Sequence, residues 1–304
     1  MTMMSLFPGQ IARLRSGERG QAALLLVTTV AVILSLIFAT VRFCHLGSEK
    51  VGIANAVDSI ALSAATWEAR GLNIIATLNN GILQCLGAIR WICAIWAALA
   101  ISALFGGWPA FAAYSKRAPR LIRSYWKCAR QFSEWADTIR KAVPYLVIAE
   151  TATLSRKQGI VGSLYPFNPA GRHDAETTLE LHVKPGPPLT LADAFGPLSR
   201  VRNYPHKKWI AKILRRVLGV LDGATSSLLR NSGGPVRLLV PEDDFPRRQK
   251  IRFAGGKTAE TLPVPMADWI GKVRFASEAT AEPHGGDAAA MTWKSRLTDE
   301  RKHP

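Results

Sequence analysis

Acidic side chains are scarce in this 304-residue chain, with 22 Asp and Glu against 39 Lys and Arg, a formal net charge of +17. Cysteine is sparse too. Cys44, Cys85, Cys93 and Cys128 include no CxxC pair and share no Cys/His ligand spacing, which argues against a zinc or dithiol redox site. Cys85 and Cys93 fall in an apolar helical stretch, where cysteine behaves as a small hydrophobe. The GxSxG, HExxH and GxGxxG patterns are missing. Gly255–Gly256–Lys257–Thr258 imitates the end of a phosphate-binding loop, but Ile251 stands where the earlier glycine is needed. His173, Asp174 and Glu176 read as a solvated polar loop, and Glu242–Asp243–Asp244 lacks the alternating oxygen ligands of a calcium loop. These absences leave no catalytic, cofactor or metal set, so an enzyme is not expected.

Charge is also lacking along Ala22–Val41, 20 residues without an ionisable side chain. At about 1.5 Å per residue such a helix is roughly 30 Å long, matching a bilayer's hydrocarbon core. Its hydroxyls, on Thr28, Thr29, Ser35 and Thr40, can bond back to helix carbonyls. Arg13, Arg15 and Arg19 precede it. A secretory signal is the rival reading. The run exceeds the roughly 7–15 residues of a signal h-region, and Ala39–Thr40–Val41–Arg42 offers no A-x-A cleavage site. An uncleaved membrane anchor with a basic leader (1–20) is therefore expected, the arginines favouring a cytoplasmic N-terminus.

Three pieces carry a family likeness. They are the helix entry Arg19–Gly20–Gln21–Ala22–Ala23, the segment Asn55–Ala56–Val57–Asp58 that becomes Ala-rich at Ala61, Ala64 and Ala65, and Ala69–Asn80 with Arg70, Asn73 and Asn79. Over Arg13–Asn80 the chain resembles TadE/TadG-like proteins, the assembly components of Flp (tight adherence) pili. The resemblance implies a pilin-like protein of the bacterial inner membrane, partnered by membrane lipid and by other pilus or secretion subunits, with no catalytic residues. Pilin-like members cut by prepilin peptidase usually carry Glu at the fifth position after the cleaved Gly. Here that position is Leu25, and Glu18 precedes Gly20. A permanently anchored assembly factor is expected rather than a filament subunit.

A second apolar stretch lies in 81–108, where Trp91–Trp108 has 18 residues without a formal charge, bracketed by two tryptophans. It reads as a second membrane helix, the alternative being a hydrophobic helix packed at or below the interface. Lys116, Arg117, Arg120, Arg123, Lys127 and Arg130 follow it. If 81–108 spans, this block is cytoplasmic under the positive-inside rule. The family resemblance instead places the C-terminal part outside, so the side on which 109–304 lies stays open.

The basic excess is concentrated in 109–304, with 32 Lys and Arg against 18 Asp and Glu, which suggests anionic lipid headgroups or an acidic partner. Region 109–160 reads as a long basic amphipathic helix. Leu121, Tyr125, Cys128, Phe132, Trp135, Ile139, Ala142, Leu146 and Ala149 form a heptad-like seam, and Pro144 should kink it. Prolines and glycines in 161–190 indicate a linker. In 191–275 a small α+β part is expected. Its helix carries Trp209 on the apolar face and Lys208, Lys212, Arg215 and Arg216 on the other, a pattern suited to an anionic membrane surface. Val236–Val240 and Lys250–Ala254 could pair as a hairpin, and 276–304 reads as a loosely ordered tail with a possible contact at Trp293. The fold class is thus a mainly α membrane protein with a small α+β C-terminal part. The alternative function is a membrane-tethered basic domain binding anionic lipid or, through Arg200–Arg216, nucleic acid, although aromatic interleaving is sparse there.

Overall fold

The computed structural model describes residues 18–165, 181–191, 235–242, 250–259 and 273–298, with a few positions between 219 and 230. The chain is mainly helical. Helix α1 spans Glu18–Ser102 and, after a 3-10 turn at Ala103–Phe105, helix α2 spans Trp108–Gln158. Proline is missing from all of 18–102, so nothing removes an amide donor along α1. Strands follow: β1 (Val161–Tyr165), β2 (Val183–Pro185), β3 (Leu239–Pro241), β4 (Ile251–Ala259), β5 (Val273–His284) and β6 (Lys294–Thr298). One sheet has the order β1-β4-β5-β6, and β2 pairs with β3 in a second.

The chain divides into two compact units. One comprises Met1–Ala56 with Gly255–Ser277, the other Val57–Ala254 with Glu278–Pro304. In the first unit, the most apolar window of the α1 helix has none of its residues buried. Leu25, Phe38 and their neighbours lie open, a large exposed apolar face.

In the second unit the C-terminal part of α1 and α2 form an antiparallel helical hairpin. Along α1 the buried residues Ile75, Asn79, Ile82, Leu86, Ile89, Cys93, Trp96 and Ala100 alternate spacings of four and three. That is a heptad seam, which keeps one stripe facing a partner helix. Its counterpart on α2 is Ala118, Ile122, Trp126, Ala129, Ala136, Val143 and Val147. The seam expected on α2 is therefore displaced by about one residue. Leu121, Tyr125, Trp135 and Leu146 are exposed, and Ile122, Trp126, Ala136 and Val147 occupy the contact in their place. The helices approach closely at Gly71, where a Cβ would overlap the γ-methyls of Val143. Cys85 and Cys93 are buried in this core as small hydrophobes, while Cys44 is exposed. Trp96 Nε1 donates to Ser115 Oγ at 2.9 Å, satisfying the buried indole across the hairpin.

α2 continues through Pro119 and Pro144 and ends at Gln158, capped by Gly159, close to the end expected for the 109–160 helix. Gly159 has φ +64°, and its amide and that of Ile160 bond back to Arg156 O and Ser155 O. This left-handed cap satisfies end carbonyls at low steric cost to glycine.

Three expectations for the C-terminal half are corrected. The 161–190 stretch is not simply a linker, because it contributes β1 and β2. β3 does not pair with β4. It pairs antiparallel with β2, Val183 opposite Pro241 and Pro185 opposite Leu239, while β4 lies between β1 and β5. The prolines cap both ends of this short ladder, where a missing amide donor is tolerated. The expected loose tail instead forms most of β5 and β6, antiparallel with Glu282 opposite Arg296. Glu282 is 4% exposed, and Arg296 donates to its Oε1 through Nε and Nη2 at 2.8 and 2.6 Å. A buried carboxylate needs such a partner, and the cross-strand register supplies it.

Candidate functional site

The residues that carried the family likeness divide by role. Arg19 and Gly20 lie in the first turns of α1, with side chains outside the described residues. Gln21 and Asn55 are exposed, Ala56 and Asp58 half-buried, and Ala61 fully buried. The Arg70 guanidinium lies over the Trp67 ring at 5.1 Å, a cation–π contact on the helix surface.

Asn73 and Asn79 do something more definite. Each side chain grips a backbone amide from the far end of the sequence. Asn73 Nδ2 donates to Trp293 O at 3.1 Å and its Oδ1 accepts from Trp293 N at 3.0 Å. Asn79 Nδ2 donates to Leu239 O and Ala288 O, both at 2.7 Å, and Oδ1 accepts from Leu239 N at 3.2 Å. Thr66 Oγ1 reaches Ser295 Oγ at 2.8 Å. These residues, roughly two turns of helix apart, turn one side of α1 into a rack for segments 239, 288–295. The contact expected at Trp293 is this one, and the residue is 8% exposed. Asn79 is 1% exposed and sits within the apolar seam, where a lone polar residue fixes register because it has to find its partners.

The apolar stretch 22–41 of α1 is the other candidate site. Each of its hydroxyls accounts for its own proton: Thr28 bonds Leu24 O and Leu25 O, Thr29 bonds Leu25 O, Ser35 bonds Ala31 O and Thr40 bonds Leu36 O. The helix surface therefore presents neither charge nor an unmet hydroxyl donor to its surroundings, as a hydrocarbon solvent requires.

The second apolar stretch, 81–108, supplies half of the hairpin core through Ile82, Cys85, Leu86, Ile89, Ile92, Cys93, Trp96 and Ala100. Its remaining apolar residues lie along the open side of α1 and at the turn. Trp91 is 72% exposed, Phe105 84% and Trp108 55%, with Ile95 and Ile101 also open. Sequence reading found the run but not this division, which depends on α2 folding back.

Other candidates come to little. Gly255–Thr258 lies inside strand β4, extended rather than looped before a helix. His182 Nδ1 stands 3.8 Å from Glu242 Oε2, and among the described residues no group of His, Cys, Asp and Glu has metal-binding geometry. His173, Asp174, Glu176, Asp243 and Asp244 lie outside the described residues, as do Lys208, Trp209, Lys212, Arg215 and Arg216. Comparison with family models, with curated proteins and with solved structures finds no match to this chain.

Proposed function

We propose that this chain is a non-enzymatic, membrane-anchored assembly component that works by helix packing with partner subunits. The observation that carries the reading is the open apolar face of α1 over 22–41, long enough for one crossing and internally satisfied in its hydrogen bonds. The exposed row Leu121, Tyr125, Trp135, Tyr145 and Leu146 on α2 supports a second, protein-facing role. Assignment to Flp or tight-adherence pilus assembly in a bacterial inner membrane, with a cytoplasmic N-terminus, rests on the resemblance over Arg13–Asn80.

A single crossing is the arrangement we favour. Eight residues of the 81–102 segment, from Ile82 to Ala100, are buried in the hairpin core and so turned away from any surrounding lipid. On this reading everything after Val41 lies on the side opposite the N-terminus.

The test replaces Ala22–Ala65 with an unrelated membrane anchor and measures which neighbours still cross-link to the chain in native membranes. Loss of the cross-linked subunits is expected while the chain stays in the membrane. Retention of all of them would refute helix packing by this segment.

A further inference from the structure

The hairpin between α1 and α2 ends in an apolar knob set on a basic collar, and we infer that this tip inserts into an anionic bilayer surface without crossing it. The inference concerns α1–α2 alone and stands independently of the partner-packing reading. Three observations carry it.

The first is the exposure pattern. Trp91, Ile95, Ala98 and Ile101 follow one another at spacings of four, three and three, one open stripe of α1 that leads to Phe105 and Trp108 at the turn. The largest apolar groups are the most open ones, although Ile92, Trp96, Ala100 and Phe111 beside them are buried. The fold packs the inner side of the hairpin and leaves the Trp108 indole and the Phe105 ring at its end, with Trp91 about 21 Å back along α1. Tryptophan favours the boundary of headgroups and acyl chains, with its ring in the apolar layer and its N–H in the wet one.

The second is the charge. Lys116, Arg117, Arg120 and Arg123 are all exposed on α2 just behind the tip, and Arg90 is exposed on α1. Among the described residues none of the five makes an ion pair. A ring of uncompensated cations around an apolar end complements a surface with anionic headgroups over hydrocarbon. The same ring argues against a second copy of this chain, whose collar would repel it.

The third is depth. Trp108 to Lys116 is eight residues of helix, so the charge-free part of the α2 arm is about 12 Å long. An amphipathic element lying in the interface buries its apolar face by about 5–10 Å, which this arm accommodates. A crossing needs about 30 Å. Because α2 is packed along α1, pushing the α1 arm through would drag Lys116, Arg117, Arg120 and Arg123 into the hydrocarbon. The tip is deep enough to wedge and too short to span.

The test uses the full chain in a Cys44→Ser, Cys128→Ser background with a nitrobenzoxadiazole label attached through Phe105→Cys, reconstituted in phosphatidylcholine vesicles with or without phosphatidylglycerol. Phe105 is open, so the label disturbs no packing, and circular dichroism checks helix content. With phosphatidylglycerol present, the label should be quenched several-fold more by doxyl-labelled lipid and several-fold less by aqueous iodide than in phosphatidylcholine alone. A label introduced through Tyr145→Cys should stay iodide-accessible in both. Combined Lys116→Glu, Arg117→Glu and Arg120→Glu substitution should abolish the lipid effect and retain helix content. Equal iodide access at the two label sites with phosphatidylglycerol present would overturn the inference. So would iodide protection accompanied by energy transfer between copies in phosphatidylcholine alone, which would mean a second copy covers the tip. Modification of Phe105→Cys by an impermeant maleimide from the vesicle face opposite the collar would show a crossing and equally refute it.

Discussion

Asn79→Ala should detach the C-terminal strands from α1 while leaving the helical hairpin in place. Asn79 makes three hydrogen bonds from a nearly water-free position, two as donor to carbonyls and one as acceptor from Leu239 N–H. A typical bond contributes about 0.5–1.5 kcal/mol net, and a buried group left unmet costs about 1–3 kcal/mol. Leu239 is 4% exposed, so its amide would have little access to water after the substitution. A loss of about 3–4 kcal/mol follows, a large share of the roughly 5–15 kcal/mol that holds an ordinary domain together. Amide exchange in nanodiscs is the direct assay. The Leu239 amide should lose its protection, and the amides of Ile82–Ile92 should keep theirs. Asn79→Asp separates the two halves of the interaction, since a carboxylate still accepts from Leu239 N–H but donates nothing to Leu239 O or Ala288 O. It should be about as damaging as alanine at neutral pH. If Asn79→Ala cost under about 1 kcal/mol with Leu239 exchange unchanged, the tie would be wrong.

Gly71→Ala should destabilise by about 1–3 kcal/mol through overpacking, because the new Cβ would meet Val143 Cγ1 at 2.9 Å; adding Val143→Ala should restore most of the loss in a urea titration. Asp137, with Lys141 Nζ at 2.8 Å and Arg140 Nη2 at 3.1 Å, has its carboxyl held below the usual range, first by the Lys141 hydrogen bond and then by the Arg140 and Lys141 charges. Its folded pKa is lower than its unfolded one, so its contribution is complete above about pH 4 and fades as pH falls through the folded value. Since Asp137 is 43% exposed, Asp137→Asn should hardly move the melting temperature at pH 7 and should flatten only the acid limb. An impermeant maleimide should label exposed Cys44 in the native protein, with Cys85 and Cys93 reacting only after denaturation, as mass spectrometry of the four thiols would show.

The parts of this fold that depend on neighbouring residues were legible in the sequence. Charge-free Ala22–Val41 and the helical stretch after Trp108 each follow from side chains within a few positions, whereas the joining of 21–80 and 81–102 into one helix was not foreseen. The parts that depend on distant residues were not. The α2 seam was placed on Leu121, Tyr125 and Trp135, yet the contact falls one residue on, at Ile122, Trp126 and Ala136, because the rotation of α2 is set by its packing against α1, distant in sequence. Strands β5 and β6 looked too polar to order. Glu282 and Arg296 are polar in isolation, and only the cross-strand register gives the buried Glu282 carboxylate its exposed Arg296 partner. Asn79 had one available signal, its place between Ile75 and Ile82 on the four-and-three apolar spacing, a place its neighbour Asn80 does not share. The hairpin tip had its tryptophans, but their division into buried and open depends on where α2 returns.

The asparagine rack also sets a clock. Asn73 is joined to Trp293 across 220 residues of sequence and Asn79 to Ala288 across 209. At about 5–20 residues per second, a ribosome needs roughly 10–40 s to make the second partner after the first. α1 is made first, so until residues 288–293 are made Asn73 is hydrated in place of its bonds to Trp293, and Asn79 lacks its bond to Ala288. A chain truncated before Ala288 would keep Leu239 for Asn79 but leave Asn73 without its partner, a product that exposes its own incompleteness to proteolysis.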